Sequence, residues 1–343
     1  ECIWVVANAA TLALNKLLAT SPKYRHRVQA ITDGCMATFN LGGINQYGEP
    51  FGLHLMDPIA GGSGGYASKD GVNAGGPIIS PVSSVADVER NEQVSPLFYI
   101  HRRLACDTAG PGKFRGGSSG EVALTLGGIE RAQALIMTHG AEVPNSAGLS
   151  GGWPGATVRQ SMVFGAIKQG RLTGKGKRKV FGPKPGLMTM TNADLFDVSW
   201  QGGGGWGDPL ERAPEAVAAD VAAGIVSVKA AKAIFGVVLK AGKTDAGATD
   251  KERLRQRRKR VGKFAKTPAR MTAARPFAAL GEALHLVRDR RGVHVVSTAG
   301  YILCSNSTKW RQGAVAVTMR KGPPEYRITL RSEEHTSELQ SRL

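Results

Sequence analysis

Residues Gln201 to Leu239, QGGGGWGDPLERAPEAVAADVAAGIVSVKAAKAIFGVVL, constrain the fold more than any other stretch of this chain. Four consecutive glycines, Trp206 and a Gly-Asp-Pro turn run straight into two helical patterns. A glycine run forms no regular element and costs backbone entropy on folding. It persists where a side chain would block a turn or a close approach. Asp208 or Glu211 is placed to cap, Pro209 and Pro214 suit first-turn positions, and Gly224 stops the first helix. Ser227 caps the second helix, which stops at Gly236. Ala216, Val217, Asp220, Val221 and Ile225 set mostly apolar groups at helical spacing. The segment reads as a structural turn that brings a strand-rich part and a helical pair together.

The chain of 343 residues is 42% apolar and carries 45 glycines, well above the usual share of about 7%. That composition favours loops and strands over a helix bundle. Glu1 to Ala19 predicts a helix closed by Ser21-Pro22. Ala30 to Leu55 reads as strands, with Gly42-Gly43 and Tyr47-Gly48 as turns. Ala60 to Gly76 is a long glycine-rich loop of the kind that sits at binding surfaces, and Ala109 to Gly120 is a second glycine-rich turn. Strands are expected at Pro96 to Cys106, at Glu121 to Leu126 and onward to Thr191. The expected class is α+β: a strand-rich large domain over residues 1–240 with the helical pair at its end. A basic linker over 241–276 and a small unit over 277–330 follow. In the small unit, Leu284 to Val287 and Val293 to Val296 flank a turn and predict a β-hairpin. The opening residues lack an initiator Met, and Arg331 to Ser341 (RSEEHTSELQS) reads like a translated sequencing adapter. Residues 331–343 are left out of the fold reasoning.

The net charge of +18 looks like a nucleic-acid signal until it is located. Lys251 to Arg275 holds eleven Lys/Arg and one acidic residue, Glu252. A single basic run between folded segments reads as a solvated linker or helix face. A nucleic-acid-binding module is the competing class, and Phe264 alone supplies an aromatic to the run, which weighs against it. The four cysteines, at 2, 35, 106 and 304, form no C-x-x-C pair, so neither a zinc site nor a disulfide framework is expected. Reduced thiols fit a cytoplasmic protein. The first apolar run is broken by Asn8, Asn15 and Lys16 and is too short and polar to span a bilayer.

Several motif matches fail. Gly236 and Gly242-Lys243-Thr244 are one residue too far apart for a P-loop and follow a helix rather than a strand. Gly110, Gly112 and Gly116 miss the dinucleotide spacing by one. His54 and Asp57 could ligate a metal, but at i and i+3 on a strand they face opposite sides. Lys113 and Arg115 in the second glycine turn could hold an anion, although a plain tight turn accounts for them as well. Asp70, Glu89 and Glu92 are candidate catalytic carboxylates beside the long glycine loop, suited to orienting a substrate or moving a proton. The plainer alternative has them capping turns and pairing with Arg90, Arg102 or Arg103.

Three blocks in order, Phe51 to Gly71, Asp87 to Gly120 and Gln201 to Leu239, resemble the hydantoinase B/oxoprolinase family. The residues Asp87-Val-Glu89 and Asp107 to Gly117 look most like the acetone and acetophenone carboxylase large subunits. Hydantoinases and oxoprolinases, which hydrolyse cyclic amides, are the alternative branch. The resemblance implies a C-terminal portion of a large subunit, inactive alone, in a hetero-oligomer with a hydantoinase A-type ATP-binding subunit. It implies a small carbonyl substrate and, for the complete enzyme, ATP with magnesium and manganese in the carboxylases. The family's manganese site belongs upstream, so no metal or cofactor ligand is assigned among these residues. Phe277 to Val317 resembles the small gamma-type subunit of acetone carboxylase, fused on. That subunit's Cys-x-x-Cys-Gly motif falls here on Val296, Ala299 and Gly300, which predicts a unit that folds without metal.

Overall fold

The computed structural model describes residues 2–33, 37–55, 61–77, 85, 87–261, 275–279, 284–290, 292–297, 300, 302–306, 314–318 and 327–331. The chain divides into two units, Glu1–Asp250 and Lys251–Leu343. The first opens with α1 (Cys2–Ala19), then β1 (Ala37–Ile44), β2 (Pro50–Leu55), α2 (Val88–Val94), β3 (Leu97–Leu104), β4 (Gly120–Leu126) and β5 (Arg131–Thr138). Next come β6 (Arg159–Phe164), the small pair β7 (Ile167–Lys168) and β8 (Arg171–Leu172), β9 (Lys177–Val180), β10 (Gly186–Thr191) and β11 (Leu195–Ser199). The helical pair is α3 (Pro214–Ala222) and α4 (Val228–Ala233), followed by the short pair β12 (Leu239–Lys240) and β13 (Lys243–Thr244) and by α5 (Ala246–Val261).

Two antiparallel sheets form the core, in the orders β10-β5-β1-β2 and β3-β4-β11-β6-β9. They pack face to face through one apolar cluster drawn from both: Phe39, Leu41 and Ile136 from one, Leu124, Met162 and Phe196 from the other. Phe39 and Phe196 stack across the gap, ring centroids 4.2 Å apart and planes 10° apart. Each such fully buried side chain contributes roughly 1.5 to 3 kcal/mol. In β5 exposed and buried positions alternate from Arg131 to Ala134, the period of a half-buried strand.

The strands and helices follow the sequence pattern with local corrections. Gly42 and Gly43 lie inside β1, paired with Gly52 and Phe51, and not in a turn. The turn is at Asn45–Glu49, where Asn45 Oδ1 accepts from Tyr47 N and Glu49 N and Gly48 has φ +82°. Asp208 caps not α3 but a separate 3-10 turn, Pro209–Glu211, and α3 starts at Pro214 behind Ala213, which makes no side-chain cap bond; Gly224 and Ser227 act as predicted. Asp208 accepts from Leu210 N, Gly224 takes φ +71°, and Ser227 Oγ accepts from Ala230 N. Residues 246–261, within the expected linker, form α5, with seven cations between Lys251 and Arg260. Cations in a last helical turn are favoured by the helix dipole.

In the second unit β14 (Pro276–Ala279), β15 (Leu284–Asp289), β16 (Gly292–Ser297) and β17 (Ile302–Asn306) form an antiparallel sheet in chain order. β18 (Ala314–Thr318) pairs with β19 (Arg327–Arg331). The hairpin is β15–β16, with Asp289 opposite Gly292 and His294 Nε2 2.8 Å from Asp289 Oδ1. Val296 is buried in this sheet, and Ala299 lies outside the described residues. So do residues 332–343 of the adapter-like tail.

Candidate functional site

The glycine run is not a turn. Gly202 to Gly205 form the centre of a backbone bundle, surrounded by chain around Ile31, 62–65, 110–117, Leu149 and Trp153. Gly203 N donates to Gly117 O at 3.0 Å, Gly204 N to Ile31 O at 2.8 Å and Gly205 N to Trp153 O at 2.8 Å. Three successive residues thus reach three different neighbours. Trp206 N returns to the 114–117 stretch at Phe114 O, and the carbonyls of Gln201 and Gly204 accept from Gly62 and Gly65. The hydrogen-bonding groups of the run thus radiate to several neighbouring segments instead of alternating between two as in a sheet.

Such a bundle has no room for side chains. A Cβ on Gly203 would lie 1.9 Å from Ser63 O, on Gly204 2.2 Å from Ala147 O, and on Gly205 2.1 Å from Pro111 O. Each obstacle is backbone and cannot swing aside. The surrounding glycines obey the same rule: Gly62 and Gly117 would clash with Gly117 O and Val72 O at 1.9 Å. The glycine-rich loops at 61–76 and 109–120 and the run at 202–205 are therefore parts of one structure.

Two polar clusters border the bundle. The first is a buried ion network. Arg212 binds Asp70 with both terminal nitrogens, at 2.6 and 2.7 Å, and reaches Asp220 Oδ2 at 2.7 Å. Arg115 donates from Nε to Asp220 Oδ1 at 2.9 Å and from Nη1 to Asn73 Oδ1 at 3.0 Å, while its backbone N–H donates to Asp70. Two guanidinium groups and two carboxylates neutralise one another here. Burial pushes the Arg212 guanidinium down, but hydrogen bonds and charge from Asp70, then Asp220, outweigh it and hold it above its ordinary value. The network clasps the long glycine loop, the second glycine turn and α3 together, and leaves no unbalanced cation for an anion.

The second cluster lies at the Gln201 end and is mostly uncharged. Asn8 of α1 donates to the carbonyls of Thr32 and Asn145, at 3.3 and 3.2 Å. Gln201 Nε2 donates to Gly140 O at 3.3 Å. His139, half-buried after β5, has its Nδ1 3.0 Å from Asn145 Nδ2. With that amide donating, the neutral ring carries its proton on Nε2. Ser146 is fully buried beside Asn145, and Asp33 is buried against Gly61. A half-buried imidazole of fixed tautomer presents its Nε2 proton as a hydrogen-bond donor.

The three candidate carboxylates are not gathered. Asp70 belongs to the ion network. Glu92 accepts from Tyr99 N at 2.7 Å, and Glu89 is exposed in the first turn of α2. Of their expected partners, Arg103 pairs with Glu121 and Arg90 N donates to the cap residue Asp87. His54 Nδ1 lies 2.6 Å from Asn40 Oδ1 across the β1–β2 ladder, and Asp57 is outside the described residues. Arg115 is occupied by Asp220, and Lys113 lies 5.9 Å from the Phe114 ring centroid. Among the described residues, no group of three or more His, Cys, Asp or Glu side chains is placed to hold a metal ion. Nor is any described helix long and apolar enough to cross a membrane. Sequence reading missed His139 and Arg212. His139 meets Asn145 only six residues on, while Arg212, inside the Gln201–Leu239 block, meets Asp70 across 142 residues.

The match to the hydantoinase B/oxoprolinase family model runs over residues 2–209, which takes in the sandwich and nearly the whole glycine bundle. The chain belongs to the hydantoinase B/oxoprolinase family. It is 28% identical over 265 residues to the acetone carboxylase alpha subunit of Xanthobacter autotrophicus, covering 70% of this chain and 34% of that protein. It is 30% identical over 205 residues to the caprolactamase subunit beta of Pseudomonas jessenii, covering 58% and 33%. A nucleotide-free acetone carboxylase structure superposes with a TM-score of 0.64 at 26% identity, over 71% of this chain and 35% of that one. The chain thus spans about a third of the length of these family members. Both named relatives are enzyme subunits.

Proposed function

We propose that this chain forms part of the large subunit of an ATP-dependent carboxylase acting on a ketone such as acetone or acetophenone. The observation that carries this is the acetone carboxylase alpha match, which extends over 70% of the chain. In the complete enzyme, ATP with magnesium would be bound by a hydantoinase A-type subunit. Phosphorylated bicarbonate and an enol phosphate would then meet at the large subunit. The glycine bundle supplies a rigid wall, since a fully bonded backbone lattice without side chains has little to rearrange. We read Asp70 and Glu92 as anchors: one is held by Arg212, the other holds a backbone N–H. Glu89 and His139 are the groups we assign to proton transfer. Assembly with further protein is supported by α1, whose exposed residues include Ile3, Val6, Leu14 and Leu17. Monomeric surfaces rarely gather such side chains in one patch.

A second reading is hydrolysis of a cyclic amide, favoured by the 30% identity to the caprolactamase subunit. The same assay separates the two. The complete complex is supplied with ATP and either acetone plus bicarbonate or caprolactam. ATP consumption that needs both ketone and bicarbonate supports the carboxylase. Consumption driven by the lactam without bicarbonate replaces it with the hydrolase, and turnover with neither substrate overturns both.

A further inference from the structure

From Val143 to Ala193 the chain contains no Asp or Glu but eight Lys and Arg. Together with residues 251–275, that stretch accounts for the entire net charge of +18. Seven of the eight cations fall between Lys168 and Lys184, and every residue from Lys168 to Val180 is exposed. This basic arm ends in β9, which pairs with β6 on one side and, among the described residues, with no strand on the other. Its outer edge offers unpaired backbone groups.

The two faces of β9 differ in what they lack. Successive residues alternate sides, so Lys177 and Lys179 share one face and Arg178 and Val180 the other. Lys177 and Lys179 have no carboxylate partner among the described residues; Lys179 Nζ lies 5.5 Å from the Phe181 ring centroid. Arg178 is already neutralised by Asp197 Oδ2 at 2.8 Å and bonded to Ser161 Oγ at 2.6 Å. Beside it Val180 is 71% exposed. One face therefore calls for negative charge and the other for an apolar side chain. A cation or two is enough to discourage strand pairing at an edge. Lys168, Arg171, Lys175, Lys177 and Lys179, all exposed, repel one another and exceed that need.

We propose that the free edge of β9 docks an extended segment of a partner protein whose residues alternate acidic and apolar. The segment adds as a strand, with main-chain hydrogen bonds giving affinity and the side-chain alternation giving specificity. Nucleic acid fits less well. The arm's one aromatic, Phe181, is buried, so it offers no stacking platform.

The test titrates the full chain with a synthetic peptide of alternating Glu and Val. The expected results are saturable binding that weakens with salt and falls by about tenfold or more in the Lys177→Glu, Lys179→Glu double variant. A copy of the peptide N-methylated at alternate residues, so that one edge cannot hydrogen-bond, is expected to lose binding while keeping its charge. No binding by the parent peptide overturns the proposal, and so does undiminished binding of the N-methylated copy. Equal or tighter binding of a single-stranded DNA oligonucleotide overturns it in favour of a general polyanion surface. Thermal melting of the variant checks the fold. If the double variant does not fold, Lys168→Glu with Lys175→Glu tests the charge from outside β9, and unchanged affinity in that pair counts against the proposal.

Discussion

Single atoms decide most at the residue scale. A Cβ on Gly203 would meet Ser63 O at 1.9 Å, whereas one on Gly182 meets nothing within 4 Å. Gly203→Ala is therefore expected to cost more than about 4 kcal/mol and abolish soluble expression, and Gly182→Ala to stay within about 0.5 kcal/mol. Melting curves of both variants check this, and a well-folded Gly203→Ala would sink the bundle. Arg212→Ala strands Asp220, buried with only Arg115 left to face it. The expected loss is about 3 to 5 kcal/mol by urea unfolding. Arg212→Lys recovers only part, because an ammonium cannot bond Asp70 with two nitrogens and still reach Asp220. The Arg212 guanidinium is held above its ordinary value. Its stabilising effect is therefore complete below the ordinary arginine range and lost only as pH rises through the folded value. No pH dependence from Arg212 is expected near neutrality, and a stability step there in wild type that vanishes in Arg212→Lys would contradict this.

At the scale of elements, α1 has its polarity inverted. Asn8 and Asn15 interrupt the apolar run, yet they and Trp4 are buried while Ile3, Val6 and Leu17 are exposed. Asn15 Oδ1 accepts from Gln29 N at 3.0 Å and Asn8 serves two carbonyls, so the helix seats itself by hydrogen bonds. Asn8→Ala is expected to cost about 1 to 3 kcal/mol, measured by chemical denaturation; a neutral result would mean that the asparagine does not anchor α1. The end of α5 carries a different kind of information. Thr249 Oγ1 accepts from Val238 N within the first unit, and the cations begin at Lys251. Deleting residues 251–276 is expected to leave the sandwich folded by circular dichroism and to reduce retention on a nucleic-acid column. Loss of the sandwich would show that these residues are not a dispensable connection.

On the scale of the whole molecule, the chain covers about a third of its relatives, and its described residues bring together no metal ligand set. The isolated chain is expected to hydrolyse no ATP and to bind no stoichiometric manganese. Metal analysis and a phosphate-release assay check this, and one tightly bound ion per chain would overturn it. How much was readable in advance depends on the distance between partners. Caps and stops act within a few residues, so Ser227 and Gly224 announced the start and end of their helices. The β15–β16 hairpin was readable for the same reason, because its two strands are adjacent in the chain. The three glycine-rich stretches were visible as glycine but not as one object. What each glycine avoids is a carbonyl tens of residues away, and no local pattern encodes that distance. Asp70 likewise read as a carboxylate for orienting a substrate or moving a proton, or for pairing with a nearby arginine, and the arginine it meets, Arg212, lies 142 residues along the chain. The sequence by itself determined the family, the strand-rich class and the helix ends, since these rest on local propensity and ordered motifs. Only the tertiary structure decided that the glycine run is the axis of a backbone bundle, because close packing of main chains is a property of several segments at once.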